Sequence, residues 1–545
     1  MPSFNLVDEP WIPCLMAETG RTEELGLATT LIRAPAVREI VDPSPLVTVA
    51  LHRLLLAILH RVFGPKNAGE WAELWSRGAW DSVKLAAYFD RWRHRFDLFD
   101  VEHPFYQTPG IELEYAAPVA EMAPQLASSR NAATLFDHTL EAELSPAEAA
   151  RCLVAFHSFA VGGWWSLRRG EDPKTHKSAD AAPLVKGAVA LVRGGNLFQT
   201  LMLNLHRYDP DQAEPFETRE GDCPAWELPE PTRAEDRWPT GYLDLLTWQS
   251  RRVRLYPEVD EGGRVVVRHA ALMKGWQFPD GFHRHGRETM LAFVANVRSK
   301  SNEDPWPPVA FEEDRALWRS SLALVQSVPT QRERPKIFTW LSELADYGAL
   351  SHSLIVPAEF LGLTTDRAKV VFWRHERLPL PLVYLDKRNN ELPNALGRAL
   401  TLAEDVAVRL SQASRTLARL VVAPSANAPG ARQPRDDVVR AMAVRLSPGR
   451  LYWSRLDVPF KKLLVDLPDD RSDEGVYGGQ RLPEWARLLR RTAMIAFAQS
   501  VDGLDISPRT IKAVATAEGE LRRGLSETLK GYLRKGGEPT DEPAE

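Results

Sequence analysis

Histidines, and arginines set among aromatics, are the side chains of this sequence with chemistry to offer. His283 and His285 alternate in GFHRHGRE, so on a strand they would point one way and could share a metal ion. No partner carboxylate accompanies them, and solvated loop histidines are the simpler expectation. His103, in VEHPFYQTPG, sits beside Pro104 among aromatics, where a hydrogen-bonded structural histidine is expected rather than a catalytic one. The chain has no GxxxxGK(S/T) phosphate loop, no GxGxxG after a strand, no HExxH and no GxSxG. No catalytic residue, cofactor or metal is therefore predicted.

Binding to nucleic acid is better provided for. Arg91-Trp92-Arg93-His94-Arg95 interleaves cations with an indole, Arg168-Arg169 follows Trp164-Trp165, and Arg251-Arg252-Val253-Arg254 places guanidiniums near Trp248. Arginine neutralises phosphates and stacks on bases, and indole stacks too, so such clusters suit a backbone groove or single-strand path. A solvated face over buried tryptophans is the plainer reading of each. Gly162-Gly163 precedes Trp164–Lys177, where Arg168, Arg169, Lys174 and Lys177 accompany Gly170. Glycine lets main-chain N–H groups come near a ligand edge; a plain surface loop is the alternative.

The elements that would position these residues change in texture near residue 380. Before it, short apolar runs switch between strand-like and helix-like periods among many prolines and tryptophans, an α+β pattern. Leu46–Val62 is apolar nearly all round and reads as a buried helix. SPAEAARCLVAFHSFAV carries Ser145 as N-cap, Pro146 at N1 and Glu148 to complete a capping box. Ala188–Val192 reads as a strand, and Val253–Tyr256 with Arg264–Arg268 as a hairpin around Glu261-Gly262-Gly263. Tyr208–Pro239, rich in prolines and acids, is expected to be a long surface loop or lid. After Leu382, apolar residues recur at three- and four-residue steps from Leu396 to Val421 and resume from Val438 to Leu446. Further helices are predicted from Pro483 to Val501 and from Ser507-Pro508 to about Leu533, together an up-and-down four-helix bundle. The expected domains are a mixed α+β domain over 1–380, the bundle over 381–536 and a disordered acidic tail over 537–545.

The 545 residues are 44 % hydrophobic and 26 % charged, a globular balance that excludes disorder as the main state. A net charge of −5 gives no global sign of a nucleic-acid binder, but it is unevenly spread: residues 381–545 hold 26 basic against 22 acidic side chains. A basic surface on a mildly acidic protein follows, with weak DNA binding by the isolated chain. Cys14, Cys152 and Cys223 are far apart and form no C-x-x-C pair, which argues against a disulfide framework or a cysteine zinc site. The start MPSFNLVDEPWIP lacks a basic, then apolar, signal pattern, and no run approaches 18 apolar residues. A soluble cytoplasmic protein with no membrane partner is expected.

Several strings together resemble one family, the large subunit (CasA) of the type I-E CRISPR Cascade surveillance complex. Phe4-Asn5-Leu6-Val7-Asp8-Glu9-Pro10-Trp11-Ile12-Pro13 resembles its opening, and Glu102-His103-Pro104-Phe105-Tyr106-Gln107-Thr108 its HPF-x-Q-T signature. Lys177-Ser178, Leu191-Val192-Arg193-Gly194 and Leu201-Met202-Leu203-Asn204-Leu205 fit its central part, and Trp373-Arg374-His375-Glu376 the end of its first domain. The resemblance implies a non-catalytic subunit that recognises a short protospacer-adjacent motif in double-stranded target DNA and starts strand separation. It also implies contact with the crRNA 5′ end and other Cascade subunits, and recruitment of a helicase-nuclease effector. The guide RNA reads the target by base pairing, so the protein need read only the short motif.

The resemblance places site residues in four segments. Ser128–His138 resembles a recognition loop for the motif and the RNA 5′ end, with Asn131, Thr134 and Phe136 as candidates; Phe136 either stacks on a base or is buried in the protein. A glycine-rich loop facing the minor groove should precede Lys177-Ser178, which implicates Gly162, Gly163, Lys174 and Lys177, although the glycine pair lies upstream and the segment between resembles an insertion. Lys274, in Ala271-Leu272-Met273-Lys274-Gly275, resembles a motif-reading lysine; a solvated turn lysine is the alternative. Gly362–Lys369 resembles a strand-separating wedge with Thr365, Asp366 and Arg367 at its tip, where relatives commonly carry glutamine in place of Arg367. An exposed Asp366–Arg367 ion pair is the competing reading. Asp260-Glu261-Gly262-Gly263 makes a simple turn where some relatives carry zinc-ligand cysteines, so no structural metal is implied. Arg409, Arg415, Arg419, Arg440, Arg487, Arg490 and Arg491 are implicated as a group in contacting a DNA strand. A metal-dependent nuclease using His283 and His285, and a purely structural scaffold, are the competing functions.

Overall fold

The computed structural model describes residues 2–123, 142–211, 215–216, 218–219, 221–297, 304–366, 369–423 and 434–533. Two compact units form, Met1–Glu312 with Ala323–Leu378, and Glu313–Leu322 with Pro379–Glu545.

In the first unit β1 (Ile12–Met16) lies between β2 (Thr22–Leu25) and β3 (Val37–Ile40), antiparallel to both. Next come α1 (Pro45–Phe63), β4 (Ala116–Pro118) and α2 (Pro146–Phe159), whose Ser145–Glu148 capping box is formed as predicted. By length and hydropathy α1 could cross a membrane, but it is buried within the unit, against α2. Its two histidines and Arg53 go into the core with it: Arg53 pairs with Glu288 at 2.9 Å, both side chains 2 % exposed. β5 (Gly163–Trp164), the single turn α3 (Pro173–His176) and β6 (Ser178–Ala179) follow, with β5 and β6 paired, and then β7 (Val189–Val192).

The predicted hairpin is β8 (Arg251–Val259) and β9 (Val265–Lys274), with β4 on its far edge. A bulge between Val267 and His269 adjusts the register so that Lys274 faces Arg251 at the open end. β10 (Ile355–Asp366) sits between β7 and β11 (Lys369–Pro381). β10 needs glycine at 362, because a Cβ there would stand 2.2 Å from Gly187 O. Glu359 of β10 is fully buried beside Arg193 (2.7 Å) and Arg377 (2.6 Å), with His375 at 3.5 Å. Burial alone would raise its carboxyl, but His375 and the two guanidiniums hold it down at about 2.

Tyr208–Pro239 is not a lid. Tyr208, Asp222 and Trp226 are buried, and Asp222 accepts from the Tyr208 hydroxyl (2.9 Å) and from the amides of Leu243 and Asp244. A buried carboxylate needs such donors, so the acids that suggested a solvated loop partly serve as interior acceptors.

Among the described residues from 391 on, the second unit has five α-helices where the periodicity predicts four: α4 (Glu391–Val422), α5 (Asp436–Leu446), α6 (Pro448–Asp466), α7 (Arg481–Val501) and α8 (Pro508–Leu533). α4 packs against the other four. The unpredicted helix is α6, whose Pro459 sits in the interior, where proline removes a hydrogen bond and normally argues against a helix. Tertiary contacts compensate: the Tyr452 hydroxyl donates to Ala403 O, and Phe460 stacks on Trp318 at 4.3 Å. Trp318 belongs to the segment Glu313–Leu322, which joins the helices although it precedes them by some 70 residues. Arg319 there pairs with Glu404 at 2.8 Å and covers the Trp453 ring.

Candidate nucleic-acid interface

Residues 161–180 form a loop clamped to the open end of the β8–β9 hairpin. Buried Arg251 donates to Val161 O (2.9 Å) and Asp180 O (2.7 Å), which closes the base of the loop, and its guanidinium lies over Trp165. Arg252, also buried, pairs with Glu171 at 2.7 Å in mid-loop. Burial would raise the Glu171 carboxyl, but the Arg252 hydrogen bond and the Arg168 amide hold it below its ordinary value. Ser166 N–H donates to Leu272 O, and Trp165 N–H to Lys177 O. The tip is α3, whose Asp172 cap accepts from Lys174 N–H while Pro173 fills N1.

Two predicted segments meet at this tip. The Lys274 ammonium donates to Thr175 O at 2.9 Å and stands 3.9 Å from Asp236. Lys274 is thus a strand-end residue with a largely covered side chain, not a solvated turn lysine. Replacing it with Met should leave the hairpin intact and free the tip: amide exchange over residues 174–177 should rise about fivefold, the worth of roughly 1 kcal/mol. Lys274→Arg should keep part of the protection, whereas unchanged exchange in the Met variant would show that the bond does not order the loop.

Glycine serves the chain's own packing here. A Cβ on Gly162 would meet Ala181 N at 3.1 Å and Ala179 O at 3.3 Å, and Gly163 adopts φ 140° within β5. The exposed side chains of the loop include Trp164, Arg169 and Lys174, together with the acids Asp172 and Asp180. Trp164, which sequence reasoning noted but did not select, is 70 % exposed, with the Lys177 ammonium 4.6 Å from its ring centre. An indole exposed to this degree beside two glycines is the signal that could have selected it.

Most guanidiniums of the arginine clusters are committed within the protein, although Arg91 and Arg169 are exposed. Arg254 is buried and donates to Asp100 O, so the Arg251–Arg254 run offers no free phosphate contact. Arg93 pairs with Asp8, and Arg95 with Glu230 at 2.8 Å. Arg168 pairs with Glu112 at 3.1 Å. His103 is hydrogen-bonded to Glu230, as expected of a structural histidine. His285 is not simply solvated: it stacks on Trp306 at 4.0 Å and contacts Glu333 at 2.5 Å. Among the described residues no three His, Cys, Asp or Glu side chains converge as metal ligands would.

In the wedge segment, Asp366 ends β10 and Lys369 begins β11, so the tip joins strands of 12 and 13 residues. Thr365 is half-buried just before it, and Thr364 Oγ1 donates to Phe311 O at 2.8 Å. Arg367 lies outside the described residues, as do Asn131, Thr134 and Phe136.

Comparison with known proteins agrees with this architecture. The profile of the family described as CRISPR-associated protein Cse1 matches residues 5–496. The CRISPR-associated protein CasA/Cse1 of Thermus thermophilus is 34 % identical, over 97 % of this chain and 98 % of its own length. The crystal structure of Thermobifida fusca Cse1 superposes with a TM-score of 0.79 at 25 % identity, covering 97 % of this chain and 98 % of that one. A chain of a CRISPR RNA-guided surveillance complex shares the fold at a TM-score of 0.70 and 22 % identity, covering 96 % of this chain and 100 % of that one. With a profile match over most of its length and a relative this similar from end to end, the chain belongs to the CRISPR-associated protein Cse1 (CasA) family.

Proposed function

We propose that the protein is the non-catalytic DNA-recognition subunit of a cytoplasmic RNA-guided surveillance complex. In this reading it inspects duplex DNA for the protospacer-adjacent motif, starts strand separation, contacts the crRNA 5′ end and neighbouring subunits, and recruits the helicase-nuclease. The observation that carries the reading is the meeting of Lys274 with the loop over 161–180. Two segments 99 residues apart share one hydrogen bond, with Trp164 and Lys174 exposed nearby. A rigid hairpin end carrying an indole and cations suits groove and backbone contact. The β10–β11 tip suits a wedge because its two strands are among the longest in the unit, and Arg367 would stack on an opened base while adding a phosphate contact. In the second unit, Arg487, Arg490 and Arg491 are exposed on α7, whereas Arg409 is tied to Thr528.

The test is target-duplex binding by the reconstituted complex with and without this subunit, using wild type and Arg367→Ala on closed and pre-opened duplexes at two salt concentrations. Opening one base step costs roughly 1.4 kcal/mol, so Arg367→Ala should lose about tenfold in affinity on closed duplex and recover on pre-opened DNA. Equal binding in every case would reject the wedge. No effect of omitting the subunit would reject the DNA-recognition reading and leave a scaffold.

A further inference from the structure

A cavity of about 330 Å³ opens in the first unit between β3, the start of α1 and one face of the β10–β11 sheet. That is within the range of small-molecule pockets, about 300–1,000 Å³. Side chains alternate along a strand, so Trp373, His375 and Arg377 of β11 point to the same side, and all three line the cavity. Ile40, Pro43, Pro45 and Leu361 supply an apolar wall.

Three groups in this lining have bonding capacity that the protein's own contacts leave unused. Arg193, whose side chain is 9 % exposed, donates from Nε to Glu359 and from Nη1 to His52. Among the described residues its Nη2 has no hydrogen-bond partner, yet that atom is not sealed from solvent, and the cavity that Arg193 lines is the opening it reaches. The Glu39 carboxylate accepts no hydrogen bond among the described residues and stands 3.7 Å from Arg377. Trp373 is 40 % exposed, and no described ring or cation stacks on it.

The charges narrow the ligand. Glu359 behind the wall holds both Arg193 and Arg377, Glu39 stands beside Arg377, and Asp42 is tied to Arg151 at 3.3 Å, so the arginines of the lining carry no surplus charge. A bare phosphate or carboxylate would gain little here and would meet Glu39. A planar, neutral ligand that accepts on one edge and donates on another fits the unused groups. Guanine does both: O6 and N7 accept from a guanidinium, the N1 and N2 hydrogens suit a carboxylate, and the ring face stacks on an indole. Adenine carries a donor where guanine has O6 and lacks the N2 amine.

We infer that this cavity binds a guanine base, stacked on Trp373 with Arg193 on its accepting edge and Glu39 on its donating edge. The base belongs either to an unpaired nucleotide of a strand or to a free guanine nucleoside or nucleotide. The strand source rests on the DNA-recognition reading; the pocket itself does not.

The experiment uses the full chain, with guanosine, inosine and adenosine titrated by calorimetry. Guanosine should bind at least about tenfold more tightly than adenosine, and about fivefold more tightly than inosine, which lacks the N2 amine. Trp373→Ala should weaken guanosine at least about tenfold. Glu39→Ala should make guanosine and inosine bind alike, a loss of discrimination that mere loosening of the fold would not produce. Trp238→Ala removes another exposed indole of the unit and should stay within about twofold of wild type. Thermal melts establish that each variant folds. A fluorescein-labelled oligothymidine with one central dG or dA, read by anisotropy, distinguishes the sources. If the dG strand binds at least about fivefold more tightly, guanosine competes with it and Trp373→Ala removes the preference, the base comes from a strand. If the two strands bind alike while guanosine binds, the ligand is a free nucleoside or nucleotide. No binding of guanosine by wild type, adenosine as tight as guanosine, or Trp238→Ala as damaging as Trp373→Ala would overturn the site. Failure of the duplex test above with guanosine binding intact would remove the strand source alone.

Discussion

Between pH 7 and pH 5 the first unit should lose on the order of 8 kcal/mol of folding free energy, a large part of the about 5–15 kcal/mol that a whole domain holds. Four buried histidines cause this. His52 and His60 ride on α1 into the core, each with Nδ1 2.7 Å from the carbonyl one turn back, and Nε2 of His52 meets Arg193. His157 rests against Tyr106 O, and His206 is stacked on Trp340. Burial dominates in all four, lowering His52 and His206 to about 3 and His60 and His157 to about 4. Their unfolded value is about 6.5, so their contribution is fully present above that and is lost as pH falls toward 3–4. At pH 5 each is worth roughly 2 kcal/mol less than at pH 7. Below pH 4.5 the loss continues through Glu359, whose depressed carboxyl stabilises the fold until it is protonated near 2. Urea titrations at pH 7, 6 and 5 read the effect directly, and unfolding near pH 5 should take up close to four protons. Stability at pH 5 equal to that at pH 7, or uptake below one proton, would show that these rings are not held neutral. His157→Gln should flatten the pH slope by about one proton.

These histidines show where local pattern stops being informative. The apolar run of α1 is legible in sequence and so is its burial, but the Arg193 guanidinium, which adds to burial in holding His52 neutral, lies 141 residues away. The capping box at Ser145 and the β8–β9 hairpin were also legible, because each is decided by residues within one or two turns of chain. Arg251, Arg252 and Arg254 had the composition of a phosphate groove yet act as struts. Their partners Val161, Glu171 and Asp100 lie 81 to 154 positions away, beyond any periodicity. The same distance hid the meeting of Lys274 with Thr175, although both segments had been singled out. α6 was missed for the opposite reason, since Pro459 is a strong local signal overridden by the packing of Tyr452, Phe460 and Trp318.

Replacing Glu288 with Gln should cost about 3–5 kcal/mol. Its carboxylate receives Arg53 Nη1 at 2.9 Å and the Met290 amide at 3.1 Å, with almost no access to water. The amide could still accept hydrogen bonds, but it would leave a guanidinium in the core with no counter-charge, its other contacts being Leu245 O at 3.5 Å and Met290 Sδ at 3.7 Å. The cost is thus mainly the desolvation of an orphaned cation, not the value of the pair. Arg53→Met/Glu288→Leu removes both charges and fills similar volume, so the double variant should lie within about 1 kcal/mol of wild type or above it. Urea denaturation at pH 7 on wild type, both single variants and the double variant closes the cycle. A double variant as unstable as Glu288→Gln would show that the pair itself, rather than the penalty for breaking it, holds α1 in register with the loop that carries Glu288.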